Sequence, residues 1–194
     1  MHALLDRIRR EHQAAVEGFL GTQDAPIAAL ATRAATALAA GHKLLFCGNG
    51  GSACDAMHIA GEFVGRFVAD RRALPAIALS ADTGMITAIA NDYSYADIFA
   101  RQVEAYGQSG DVLIALSTSG RSPNVLKALE AAQARGLATA LFTGEKYHDA
   151  PPLPLDHTLV VPSRITAHVQ EAHMVALHAL ASLVEAELGI GATA

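Results

Sequence analysis

The stretch LLFCGNGGSACDAMHIAGEF, residues 44–63, decides how the chain is read. It begins as a continuous apolar run, empties into glycines, and resumes with helical spacing, which describes a strand, a tight turn and a helix. Outward from it the same rhythm returns. Strands are expected at Lys43–Cys47, Ala76–Ser80, Asp111–Ser117, Ala138–Thr143 and Thr158–Val161. Short unbroken apolar runs, each followed by a helical stretch, indicate a parallel sheet buried on both faces. Ahead of them, Leu4, Leu5, Ile8, His12, Val16, Phe19 and Leu20 recur at helical spacing. A second, alanine-rich helix is expected after Pro26, with Gly41 placed to end it. Ile165–Leu188 reads as one amphipathic helix, and DAPPLPLD (149–156) as a surface loop. The expected fold is therefore α/β, a single domain over 1–194: a helical pair (1–41), then a three-layer, doubly wound parallel sheet (42–194). Ligands of such sheets sit beyond the carboxyl ends of the strands.

Composition narrows the function. Hydrophobic residues make up 52% of the 194, enough for one sizeable core. A net charge of −5 and only 5% aromatics argue against a nucleic-acid partner. Arg7, Arg9, Arg10, Arg71 and Arg72 read as solvated surface. No apolar run is long enough to span a membrane, and the first residues do not pattern as a secretory signal. Two cysteines, Cys47 and Cys54, form no disulfide framework and suit a cytoplasmic protein.

Two loops carry the chemistry. Gly48–Ala53 formally satisfies the G-x-G-x-x-A dinucleotide pattern. That reading needs an acid about 20 residues on, at the end of the second strand, and Asp82 lies too far away. The glycines nevertheless let backbone amides approach an anion at a helix start. After the third strand come Ser117, Thr118, Ser119 and Gly120, then Ser122 as an N-cap before Pro123, with Gly136 closing the helix. Hydroxyls beside bare helix amides suit a phosphate monoester, and no Walker lysine is present. On the helix begun by the first loop, His58 and Glu62 share a face at i, i+4. On the last helix Gln170, Met174 and His178 also share one. Two histidines, a carboxylate and an amide oxygen could hold zinc. His168 and His173 are less well aligned and read as partly exposed helix polars.

Together these stretches resemble the SIS (sugar isomerase) domain and, more closely, the phosphoheptose isomerases. CGNGGSACDAMHIAGEF (47–63), AIANDYSYADIFARQV (88–103), GDVLIALSTSGRSPNV (110–125) and VQEAHMVALH (169–178) carry the resemblance. It implies a flavodoxin-like subunit, a homotetramer with active sites at subunit interfaces, and isomerisation of sedoheptulose 7-phosphate. It further implies one Zn²⁺ per subunit held by His58, Glu62, Gln170 and His178, with Glu62 and His178 as the catalytic acid–base pair. The sugar phosphate is expected on Asn49, Gly50, Gly51, Ser52, Asp55, Glu62, Asn91, Asp92, Ser117, Thr118, Ser119, Ser122 and Gln170. Related proteins act instead as non-catalytic regulators that bind the bacterial replication initiator; a retained four-ligand set argues against that role. The other alternative is an isomerase of a different sugar phosphate, with the same phosphate loops and different hydroxyl contacts. The chain departs from the family where a glycine-rich segment commonly follows Thr143-Gly144; here EKYHDAPPLPLD takes its place.

Overall fold

The computed structural model describes residues 1–149 and 154–190. Five strands, β1 (Leu44–Gly48), β2 (Ala76–Ala78), β3 (Val112–Leu116), β4 (Ala138–Gly144) and β5 (His157–Val161), form one parallel sheet in the order β2-β1-β3-β4-β5. Each expected strand is present, with ends shifted by at most two residues. Side chains alternate between two cores. Leu44, Phe46, Ile114 and Phe142 face one, and Leu45, Cys47, Leu113 and Leu141 the other. Burial on both faces explains why the strands read as unbroken apolar runs.

The first core is covered by α1 (His2–Ala39), α2 (Gly51–Val64) and α6 (Thr166–Glu187), the second by α3 (Thr83–Asp92), α4 (Ala100–Tyr106) and α5 (Pro123–Ala134). Asp82 caps α3, its Oδ1 accepting from Met85 N at 2.8 Å. Strand order reverses between β1 and β3, so the loops after these two strands diverge around a crevice, the place where such sheets bind ligands. Gly41 and Gly136 both adopt positive φ where the preceding helices end.

The helical pair expected over 1–41 is instead a single helix, with Pro26 inside it. An interior proline removes a backbone bond at a cost of about 3 kcal/mol, but α1 is anchored on both sides of it. Ala15 and Phe19 before it, and Ile27, Leu30 and Ala34 after it, are all buried in the same core. Bonds to α6 flank the proline as well: His12 Nδ1 lies 2.6 Å from Glu171 Oε2, and Thr32 Oγ1 donates to Glu187 Oε1 at 3.2 Å.

The segment that follows Thr143-Gly144 begins as a short 3₁₀ turn, Glu145–Asp149. Residues 150–153 of the expected surface loop lie outside the described residues. Within the turn, Tyr147 is buried against Gly120, and Asp149 pairs with Arg121 (3.0 Å) and Arg164 (2.6 Å). Those arginines hold the Asp149 carboxyl below the usual range, Arg164 foremost. The turn therefore braces the serine loop from behind.

Candidate active site

A cavity of about 300 Å³ opens at the crevice, lined by Asn49, Gly51, Ser52, Leu116, Ser117, Thr118, Ser122, Thr166 and Gln170. Its walls follow from the topology. The loop after β1 turns into α2 through Gly50, whose φ of +58° L-residues avoid. Gly51 lets Gln170 approach the turn closely: a Cβ there would lie 2.2 Å from Gln170 Nε2, and the amide would have to move aside. The loop after β3 enters α5 through Ser122, and Thr166 opens α6 after β5. In none of these three helices does the N-cap side chain bond the first turn, and none has an acidic residue there. At α5 the first residue is Pro123, which has no N–H, and Val125 N is taken by Asn124 Oδ1, so the leading amides of α2 and α6 are the main ones left for a ligand; three converging N-termini favour an anion. Ser122 occupies the expected N-cap position but does not cap; its Oγ lies 3.1 Å from Ser117 Oγ.

A second cluster lies further along the seam between α2 and α6. His58 Nε2 stands 3.0 Å from His178 Nε2 and 3.4 Å from Glu62 Oε1. The ring of Phe67 stacks on His178 with centroids 5.5 Å apart. Seven residues separate Gly51 from His58, and eight separate Gln170 from His178. At 1.5 Å per residue these are steps of about 10 and about 12 Å. The two helices thus run in step, joining the anion cavity at one end to the His–Glu cluster at the other.

The donors fit zinc in type and, for the closest pair, in spacing. Nitrogens bound to one tetrahedral zinc at about 2.0–2.1 Å stand about 3.3 Å apart, and the two histidine nitrogens face each other at close to that separation. Asp55, one turn before His58, keeps Oδ2 buried without a partner. Burial pushes its carboxyl pKa up, while His58 pulls it back. A carboxylate beside a metal-binding histidine commonly orients the ring. Gln170 points instead at Gly51 and the cavity, and among the described residues no three His, Cys, Asp or Glu side chains form a ready-made cage.

Of the residues expected to meet substrate, Asn49, Gly51, Ser52, Ser117, Thr118, Ser122 and Gln170 line the cavity, and Gly50 forms its turn. Ser119 and the pair Asn91 and Asp92 do not. Ser119 Oγ accepts from Arg121 N at 3.2 Å, and Asn91 Nδ2 donates to Asp92 Oδ1 on the exposed end of α3.

Two histidines expected to be partly exposed are buried, His168 at 6% and His173 at 0%. His173 Nε2 lies 3.3 Å from Thr143 O, and burial holds its pKa down at about 4. Arg71, expected at the surface, is buried against Glu185 at 2.6 Å. The sequence reading missed Thr166, Asn124 and Tyr95. Thr166 could have been found from its position directly after a strand and loop; the other two join the site through partners 75 and 46 residues away.

A family model described as SIS domain matches residues 9–144. The chain is 47% identical over 186 residues to a phosphoheptose isomerase of Thermodesulfovibrio yellowstonii, covering 93% of this chain and 90% of that one. It is 54% identical over 155 residues to the phosphoheptose isomerase of Nitratidesulfovibrio vulgaris, covering 80% and 74%. Its fold is similar to the solved phosphoheptose isomerases of Neisseria gonorrhoeae (TM-score 0.85, 36% identity, 94% and 99% covered) and Francisella tularensis (TM-score 0.81, 34% identity, 94% and 98% covered).

Proposed function

Since the chain belongs to the SIS-domain family, and within it to the phosphoheptose isomerases, it is an aldose–ketose isomerase, and we propose that it converts sedoheptulose 7-phosphate to D-glycero-D-manno-heptose 7-phosphate. The observation that carries this reading is the α2–α6 seam. One end offers uncapped helix amides and hydroxyls for a phosphate, and the other offers a carboxylate and two imidazoles for proton transfer.

Isomerisation moves a proton between C1 and C2 through an enediol. We assign Glu62 as the base that takes the proton from C1 of the ketose and returns it at C2. His178 exchanges the proton of the neighbouring oxygens. Ser117, Ser122 and the leading amides of α2 and α6 hold the phosphate, fixing the sugar chain along the seam. His58, Glu62 and His178 would hold a zinc ion, which supplies Lewis-acid polarisation of the sugar carbonyl when bound; Gln170, about 12 Å along α6 from His178, faces the cavity and is left to the substrate. We further assign the enzyme to the cytoplasm, where it would feed heptose into lipopolysaccharide-type polymers, and to a homotetramer with sites at subunit boundaries. Free cysteines and exposed apolar residues on α1 support these two assignments.

The decisive experiment incubates the protein with sedoheptulose 7-phosphate in D₂O and follows the sugars by NMR. An aldose carrying deuterium at C2 is expected, because a side-chain base exchanges its proton with solvent. Positioned acid–base catalysis is worth about 10²–10⁴-fold, so Glu62→Gln should lose at least about a hundredfold in kcat together with the exchange. Isomerisation without any deuterium would replace the enediol route by a direct hydride shift.

A further inference from the structure

Asn124 does not line the cavity, yet it holds a residue that does. Its side chain is buried, at 2% exposure. Asn49 Nδ2 donates to Asn124 Oδ1, and Asn124 Nδ2 donates to Asn49 Oδ1, both at 2.8 Å. This reciprocal amide pair ties the loop after β1 to the first turn of α5, across the point where strand order reverses.

An amide is nearly symmetric in shape, so which end is oxygen must be fixed by its partners. Here the main chain fixes it. The Val125 N–H can only donate, and it is shared between Ser122 O and Asn124 Oδ1, each at 3.0 Å. That bond sets Asn124 with its oxygen toward Val125 N, and the reciprocal pair passes the setting on to Asn49. Tyr95 Oη also donates to Asn49 Oδ1, at 3.0 Å. The Asn49 oxygen therefore has both lone pairs engaged, and its nitrogen has committed one of two N–H groups. The remaining hydrogen-bonding valence of this cavity-lining side chain is a single N–H.

We propose that Asn124 is a positioning residue that locks the Asn49 amide so that it offers the sugar phosphate an N–H and never its carbonyl. Asn49 thereby reads an oxygen acceptor on the substrate and discriminates against a donor at that place. The inference rests on the reading that substrate occupies this cavity.

The test is a double-mutant cycle on kcat/KM, with thermal melting as the check on folding and Ser122→Ala as an independent probe of the cavity. Asn49→Ala and Asn124→Ala should each lower kcat/KM roughly tenfold or more, mainly through KM, as expected for a lost bond to a charged or strongly polar ligand. The double variant should be no worse than Asn49→Ala alone, because Asn124 acts through Asn49. Asn124→Asp keeps the shape and the acceptor for Val125 N–H but removes the donor to Asn49 Oδ1. It should show the same defect and the same non-additivity, which covers the case in which the alanine variant melts early. Multiplicative defects in the double variants would overturn the proposal, since Asn124 would then act on the fold at large. A normal kcat/KM for Asn49→Ala beside an impaired Ser122→Ala would also overturn it while leaving the cavity assignment standing. If neither variant is impaired, the substrate does not bind here and both readings fall.

Discussion

The Ser122 hydroxyl stands where a capping side chain normally satisfies the first amides of a helix, yet it bonds Ser117 Oγ and caps none of them. Removing it should therefore cost binding and not stability. Ser122→Ala is expected to raise KM by roughly tenfold or more, the worth of a hydrogen bond to a charged group, with an unchanged melting temperature. A fall in melting temperature with KM unchanged would mark Ser122 as a cap after all. His173 makes the opposite prediction, concerning stability alone. It is buried and neutral, with its pKa held at about 4 against an ordinary 6.5. The unfolded chain therefore binds a proton that the folded one refuses as pH falls below 6.5. Stability should be full above pH 6.5 and decline toward pH 4, by about 3 kcal/mol in all from this one group. Urea unfolding across that range, wild type against His173→Gln, should show a shallower pH dependence in the variant. The imidazoles of His58 and His178 are exposed by comparison and face each other. Elemental analysis of zinc-supplemented protein should find about one zinc per subunit, lost on changing either to alanine.

At the scale of elements, Arg71 works as a clamp. Its guanidinium donates to the carbonyls of Glu62, Phe63, Gly65 and Arg72 and pairs with Glu185 on α6. It closes the carboxyl end of α2, including the carbonyl of Glu62 itself, and pins that end to the helix carrying His178. Both partners are buried, at 3% and 7% side-chain exposure. Truncating one partner strands the other's charge, so Glu185→Ala should cost about 3–5 kcal/mol, measured by chemical denaturation. The same elements show what a sequence makes legible. Strands, turns and the His58–Glu62 face could be read because their signals are local: an apolar run, a glycine, an i, i+4 spacing. Arg71 looked like solvated charge because its partner lies 114 residues on. His168 and His173 looked like surface polars because α6 is covered by α1 as well as by the sheet, and a polar-versus-apolar pattern does not register a neighbour so distant in the chain. Pro26 signalled a break for the same reason. Its local cost is real, but the packing that outweighs it is tertiary.

For the whole molecule, the telling surface is the first part of α1. Leu4, Leu5 and Ile8 are exposed there, as are Val64 and Val68 beyond the His–Glu face. A tetramer that covers such residues would be stabilised by mass action, so its melting temperature should rise with protein concentration. Light scattering should report four subunits at micromolar concentration. A stable monomer would remove both the assembly and the shared site. No helix among the described residues is long and apolar enough to cross a membrane.

The packing of α1 against α6 has a consequence for how the protein is made. The first helix of the chain finds its cover in the last, and the two are separated by every strand of the sheet. At about 5–20 residues per second, a ribosome spends on the order of ten seconds between releasing one and releasing the other. Throughout that interval Phe19, Ile27 and Leu30 lack part of their final shelter, which makes the nascent chain a natural client for a chaperone that binds apolar helices. Ribosome-bound chains halted before residue 166 should be far more protease-sensitive in α1 than the released protein, in which α6 has docked.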